Sequence, residues 1–538
     1  MAITETRPAA PTPEATADPE RFVGLADHEP RGLAGLIGTG DHKALGRAWI
    51  ALSLLFGIAG LVLVALFHAD VSSSFLPADT VDQVATLGQV MLVLLFAIPL
   101  FIGIATYVAP LQVGARTVAF PRAAAMAFWG WVLGSGMLIA AYAINGGPGG
   151  GRAKAVDLSF MALAFIIAAI CLASVSLLST IIGMRTAGLW MSRIPLFSWS
   201  MVVACSLWLF TLPVLLANVM LAYIDHHYGT GTVLGGSEWS QLAWAFGQPT
   251  IYVVALPALG AISDILATLS GNRQPVRGVM MAAIGAFGVL SFGAYAQPVF
   301  APDVASEALY TAMGVLALLP MLVLFGGWGA TLKAGKPLLK SPLLFALSSA
   351  VVLLLAVFGG AVYVIRPLEL HNSQWLENSL ATPPYATGHA LLIVGAVALA
   401  ALGALVYWSP KIFGRFANDG LAKLAALVGL VGALVAGLPL MVFGFAIKAD
   451  ALADSGKFLN GLSAFGAAVL LIAVLLVIVA LIMGTKGEGD SIADDAWGVG
   501  QSLEWAAASP PVAGNFGELA RVSSAEPLLD IADPEGAA

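Results

Sequence analysis

The chain has 538 residues, 59% apolar and only 10% charged, with a net charge of -7. Its apolar runs of about 20 residues match the length a helix needs to cross a hydrocarbon core of about 30 Å, so this is a polytopic membrane protein and not a water-soluble domain. The acidic balance excludes a basic nucleic-acid surface, and Cys171 and Cys205, both inside apolar runs, imply neither a disulfide framework nor a thiolate metal site.

Residues 1–40, rich in Ala, Pro, Thr and Glu, read as a disordered tail with no leader pattern of a basic stretch followed by an apolar one. A membrane domain over 41–485 follows, with twelve expected spans at about 47–68, 86–110, 121–145, 158–183, 196–224, 242–268, 277–300, 308–332, 342–365, 385–408, 420–446 and 459–485. Residues 486–538 are acidic and proline-bearing and read as a second tail. Of the 24 basic residues, 19 fall in the tails and in the loops after even-numbered spans. Lys and Arg stay on the cytoplasmic side during insertion, so both termini are expected there, in a bacterial-type inner membrane whose lipid surrounds the bundle.

Motifs recur along the whole chain. Asp41-His42-Lys43 precedes the first span, and Val108-Ala109-Pro110-Leu111-Gln112-Val113-Gly114-Ala115 and Ala119-Phe120-Pro121-Arg122 follow the second. Arg193-Ile194-Pro195-Leu196-Phe197-Ser198-Trp199-Ser200 opens the fifth, Trp244 to Pro257 makes the sixth, and Tyr407-Trp408-Ser409-Pro410-Lys411-Ile412-Phe413-Gly414-Arg415 closes the tenth. The second tail carries Trp497-Gly498, Leu503-Glu504-Trp505, Ser509-Pro510-Pro511 and Asn515-Phe516. In order and spacing these motifs make the chain resemble subunit I of the heme-copper oxidases, of the cytochrome c oxidase type. The fold this implies is all-α, a twelve-transmembrane-helix bundle.

The resemblance also implies a low-spin heme, a high-spin heme and a copper held by six histidines. Imidazole suits both metals, because one neutral nitrogen binds while the other is anchored to the protein. Carried over position by position, the six fall on Leu87, Gln248, Gln297, Pro298, Thr387 and His389. Only His389, at the second low-spin position, can bind iron, so a heme is conceivable there and copper is not expected. The proton-path glutamate, acid and lysine of the family fall on Thr250, Thr117 and Leu324, none of which exchanges protons as a carboxylate or amine does.

What remains at the former metal depth is Gln89, Gln248, Tyr252, Gln297 and Thr387 with His389. These residues either line a polar chamber or hydrogen-bond between helices and close it. Asp264 is an acid within the sixth span, open to an ion-pathway role or to a hydrogen-bonded one. Asp225-His226-His227 has metal-donor chemistry, although adjacent residues seldom point at one ion. His371 resembles part of a magnesium site that the family shares with subunit II, but Asn372 replaces the acid.

Three functions stay open. One is a redox-inactive paralogue acting as a structural or regulatory subunit beside subunit II-like or subunit III-like partners. The second is a terminal oxidase subunit with altered ligation, passing electrons from cytochrome c to oxygen. The third is a small-solute or ion pathway through the vacated cofactor space. Trp497, Trp505 and Phe516 in a polar tail call for a docking surface, either on a partner or on the chain's own loops.

Overall fold

The computed structural model describes residues 33–229, 240–247, 251–291, 304–365, 384–448, 455–486, 492–517, 519 and 521–532. Two compact units divide the chain, Met1–Gly40 and Asp41–Ala538. In the first, Leu33–Gly38 is helical.

In the second unit, eleven helices are long and apolar enough to cross a membrane, and a shorter twelfth stands in the place of the seventh span. In chain order they are α1 (His42–Ser73), α2 (Thr80–Val113), α3 (Pro121–Ala143), α4 (Ala153–Gly183), α5 (Leu196–Tyr228), α6 (Tyr252–Ser270), α7 (Arg277–Ser291), α8 (Ala308–Ala334), α9 (Ser341–Tyr363), α10 (Pro384–Tyr407), α11 (Asp419–Phe445) and α12 (Gly456–Ile482). Residues 292–303, which complete the expected seventh span, lie outside the described residues. The most apolar stretch of α6 is 100% buried, and those of α2 and α10 are each 89% buried, against 39% for α1 and α12. Helices α2, α6 and α10 therefore form the centre, and these are three of the four spans to which the resemblance assigns metal ligands.

Helix α2 widens in its middle, where Met91–Ala97 winds as a π-helix. The amide of Ile98 bonds to the carbonyl of Val93, five residues back. The next amide in that register would be Pro99, which has no N–H, so the carbonyl of Leu94 lacks a backbone donor. The indole Nε1 of Trp131 on α3 donates to it at 3.2 Å. Gly57 of α1 lets the widened turn approach, since a Cβ there would collide with the ring of Phe96.

The second tail does not stand away from the bundle. Trp505 is 1% exposed, and its indole donates to the Tyr407 hydroxyl at 3.0 Å. The indole of Trp497 donates to the carbonyl of Tyr407 at 3.1 Å. Asn515 joins the His42 ring at 3.1 Å and the Ala115 carbonyl at 2.9 Å. Asp530 pairs with Arg273 at 2.6 Å. The tail is thus held by the chain's own start of α1 and by its own turns after α2, α6 and α10, and its tryptophans occupy a surface of the chain itself, at Tyr407. All these turns lie at one end of the bundle, the tail end.

Candidate functional site

At the far end of the bundle, helices α1, α2 and α10 and the turn before α6 enclose a cleft with a cavity volume of about 70 Å³. On α10 its wall is Thr387, Ala390, Leu391 and Val394, spaced as one helix face. From α2 come Gln89 and Leu92, and from α1 Val64 and His68. The walls are apolar except at Gln89, Thr387 and His68.

His68 is the imidazole of this cleft, although by sequence it sits at the end of a span and ranks below His389. It is 3% exposed, and its Nδ1 lies 2.9 Å from Oδ1 of Asn460 on α12. The amide nitrogen of Asn460 donates to the Gly456 carbonyl at 2.9 Å. With the amide turned that way its oxygen must accept, so Nδ1 carries the proton and Nε2 is left as the acceptor.

His389 does not face the cleft. It stands two residues from Thr387, and on a helix such neighbours point to opposite sides. Its ring packs edge-on against Tyr252 of α6, with centroids 5.7 Å apart. Gly360 of α9 closes the other side: a Cβ there would lie 2.8 Å from His389 Nε2 and would collide with the Tyr252 hydroxyl. His389 Nε2 is buried and has no hydrogen-bond partner among the described residues. Tyr252 donates to the Val357 carbonyl at 3.4 Å. Leu87 packs against the apolar core and does not line the cleft. Gln248, Thr250, Gln297, Pro298 and His371 lie outside the described residues.

These residues do not fit a heme. The low-spin heme that the resemblance implies would be held by two imidazoles. Here the nitrogen of His389 abuts the backbone of α9, the matching position on α2 is Leu87, and His68 stands alone in its cleft. No group of three metal-ligating side chains converges among the described residues.

The remaining candidates have structural partners. Asp157 of α4, which no spacing argument on the sequence singles out, holds Nδ1 of His226 at 2.8 Å and Nδ1 of His227 at 2.8 Å, one on each carboxylate oxygen. Adjacent histidines are thereby brought together on a carboxylate and joined across two helices. Asp264 accepts from the amides of Leu196 at 3.0 Å and Phe197 at 3.2 Å. These are the first amides of α5, which have no partner within the helix, and a carboxylate there complements the positive end of the helix dipole.

Around Asp264 the tail end carries a connected polar network. The Gln112 amide nitrogen donates to Asp264 at 3.0 Å and to Glu504 of the tail at 3.0 Å, while its oxygen accepts from Ser198 at 2.7 Å. Burial raises the carboxyl pKa of Glu504. Lys411 is fully buried and donates to the Asp494 carbonyl at 2.7 Å and to the Ala507 carbonyl. Burial lowers its pKa from 10.5 to about 8, against the attraction of Glu504, Asp494 and Asp495.

Residues 44–479 match the family described as Cytochrome C and Quinol oxidase polypeptide I. A protein of Streptomyces avermitilis provisionally named cytochrome c oxidase subunit 1-beta is 30% identical over 552 residues, covering 97% of this chain and 96% of the relative. Cytochrome c oxidase subunit 1 of Bacillus subtilis is 27% identical over 521 residues, covering 91% of this chain and 82% of the relative.

Proposed function

We propose, for a chain that belongs to the Cytochrome C and Quinol oxidase polypeptide I family, that it acts as a redox-inactive paralogue of subunit I: a structural or regulatory subunit of a respiratory-type membrane complex. The observation that carries this reading is the fate of the imidazoles. His42 is tied to the tail through Asn515, His226 and His227 to Asp157, His68 to Asn460, and His389 is turned against α9. No two of these face each other across a space that a heme would occupy, and Leu87 supplies no ligand. Electron transfer through altered ligation would need donors that these positions do not have. A coupled ion pathway lacks ionisable groups along the cleft, where His68 is the one titratable side chain among the described lining residues.

The role assigned is to hold partners. Subunit II-like and subunit III-like chains are the expected neighbours, in an inner membrane with both termini cytoplasmic, as the basic-residue asymmetry favours. The test is to delete this chain and follow the complex. Under the proposal, partner subunits co-purify with the chain, their amount falls severalfold without it, and the H68A/H389A double variant restores them in full. Partner amounts unaffected by the deletion would refute the role.

A further inference from the structure

We infer that the groove between α1 and α12 at the tail end of the bundle binds one anionic phospholipid from the adjoining leaflet. The groove has a volume of about 620 Å³ and is open to the outside. Leu54, Leu55 and Ile58 of α1, Ile478 of α12 and Phe413 make its walls apolar, while Arg47 and Arg415 stand among them.

Both arginines are exposed. Among the described residues neither has a carboxylate within ion-pair distance. Arg415 gives Nη1 to the carbonyl of Ile482 at 3.3 Å, which anchors its guanidinium at the C-terminus of α12. Two guanidinium groups beside an apolar channel match a phosphate diester that carries acyl chains, because the planar fork takes two phosphate oxygens at once and the chains take the channel.

The dimensions agree with one leaflet. From Arg47 to Ile58 the helix rises about 16 Å, close to half of a hydrocarbon core of about 30 Å. The arginines therefore stand at headgroup level and the groove ends near the midplane. Basic pockets between membrane helices are where anionic headgroups are held, at a gain that grows with each basic group. A zwitterionic lipid would bring its own cation and forgo most of that gain.

The proposal is independent of the redox reading and is tested on the full-length chain. Native mass spectrometry after exposure to an equal mixture of phosphatidylglycerol and phosphatidylcholine should show one phosphatidylglycerol retained per chain. The expected preference is about thirtyfold, as two basic groups imply. R47Q/R415Q should bring the preference close to parity, whereas R116Q, exposed at the same end but outside the groove, should leave it intact. A51W, which fills the groove without altering charge, should expel the lipid. Equal retention of both lipids by the unmodified chain would overturn the proposal even if the double variant failed to fold, and so would undiminished phosphatidylglycerol retention by a folded R47Q/R415Q or A51W.

Discussion

The two ends of this bundle have been treated differently. At the tail end, Gln112 links Asp264 to Glu504, and Lys411, Trp505 and Asn515 add further buried hydrogen bonds between helices and tail. At the far end, Gln89 and Thr387 line a cleft and His389 Nε2 is buried with no hydrogen-bond partner among the described residues. The tail-end residues join helices and tail to one another, whereas Leu87, on a position to which the resemblance assigns an iron ligand, only packs against the apolar core.

The largest effect should come from Asp264→Ala. It leaves two α5 amides and one of the two Gln112 N–H groups without an acceptor, and removing one member of a buried polar network costs about 3 kcal/mol or more. Thermal melting in detergent should fall strongly, and a variant melting like the parent would break the comparison at its firm end. Trp505→Ala should cost nearly as much, about 3 kcal/mol, through the cavity left and the lost bond to Tyr407. Limited proteolysis should then cut the tail after residue 486.

The next effect depends on pH. Lys411 has a seated pKa of about 8 and an ordinary one of 10.5, so between these values the unfolded chain binds more protons than the folded one. Stability therefore rises with pH across that window, by up to about 3 kcal/mol. For Glu504 the folded pKa is raised above 4.5, so the folded chain holds the extra proton and stability falls as pH rises above that value. Lys411→Met should abolish the alkaline rise and Glu504→Gln the acidic fall. Melting profiles against pH that stay unchanged in both variants would contradict the buried-network account.

The smallest effect belongs to the far end. His389→Leu removes one buried nitrogen that has no partner and, with it, a single hydrogen bond to the backbone of Ala356, so it should destabilise by no more than about 1.5 kcal/mol. Destabilisation as large as that of Asp264→Ala would erase the difference between the two ends.

Much of this architecture is legible in the sequence, because apolar runs of helix length and the order of the motifs carry it. Charge placement and the missing histidines are equally local facts, readable one position at a time. Contacts are not. Asp157 lies 69 residues from His226, and nothing in either segment announces that the carboxylate will hold both rings. The spacing of Thr387 and His389 does say that they face opposite ways on a helix, but only the packing of α9 and α6 decides that Thr387 has the cleft. His68 illustrates the same limit: depth along a span can be counted from its ends, whereas the direction a side chain faces depends on Asn460 of α12. The tail aromatics look like a partner's docking surface by composition, and it is Tyr407, from the end of α10, that takes the tryptophans.

The most direct test is a reduced-minus-oxidised optical spectrum of the purified chain with its co-purifying subunits, together with metal analysis and carbon monoxide addition. The account predicts no copper in stoichiometric amount and no carbon-monoxide-reactive heme assigned to this chain. One copper per chain together with a heme that shifts its spectrum on binding carbon monoxide would contradict it.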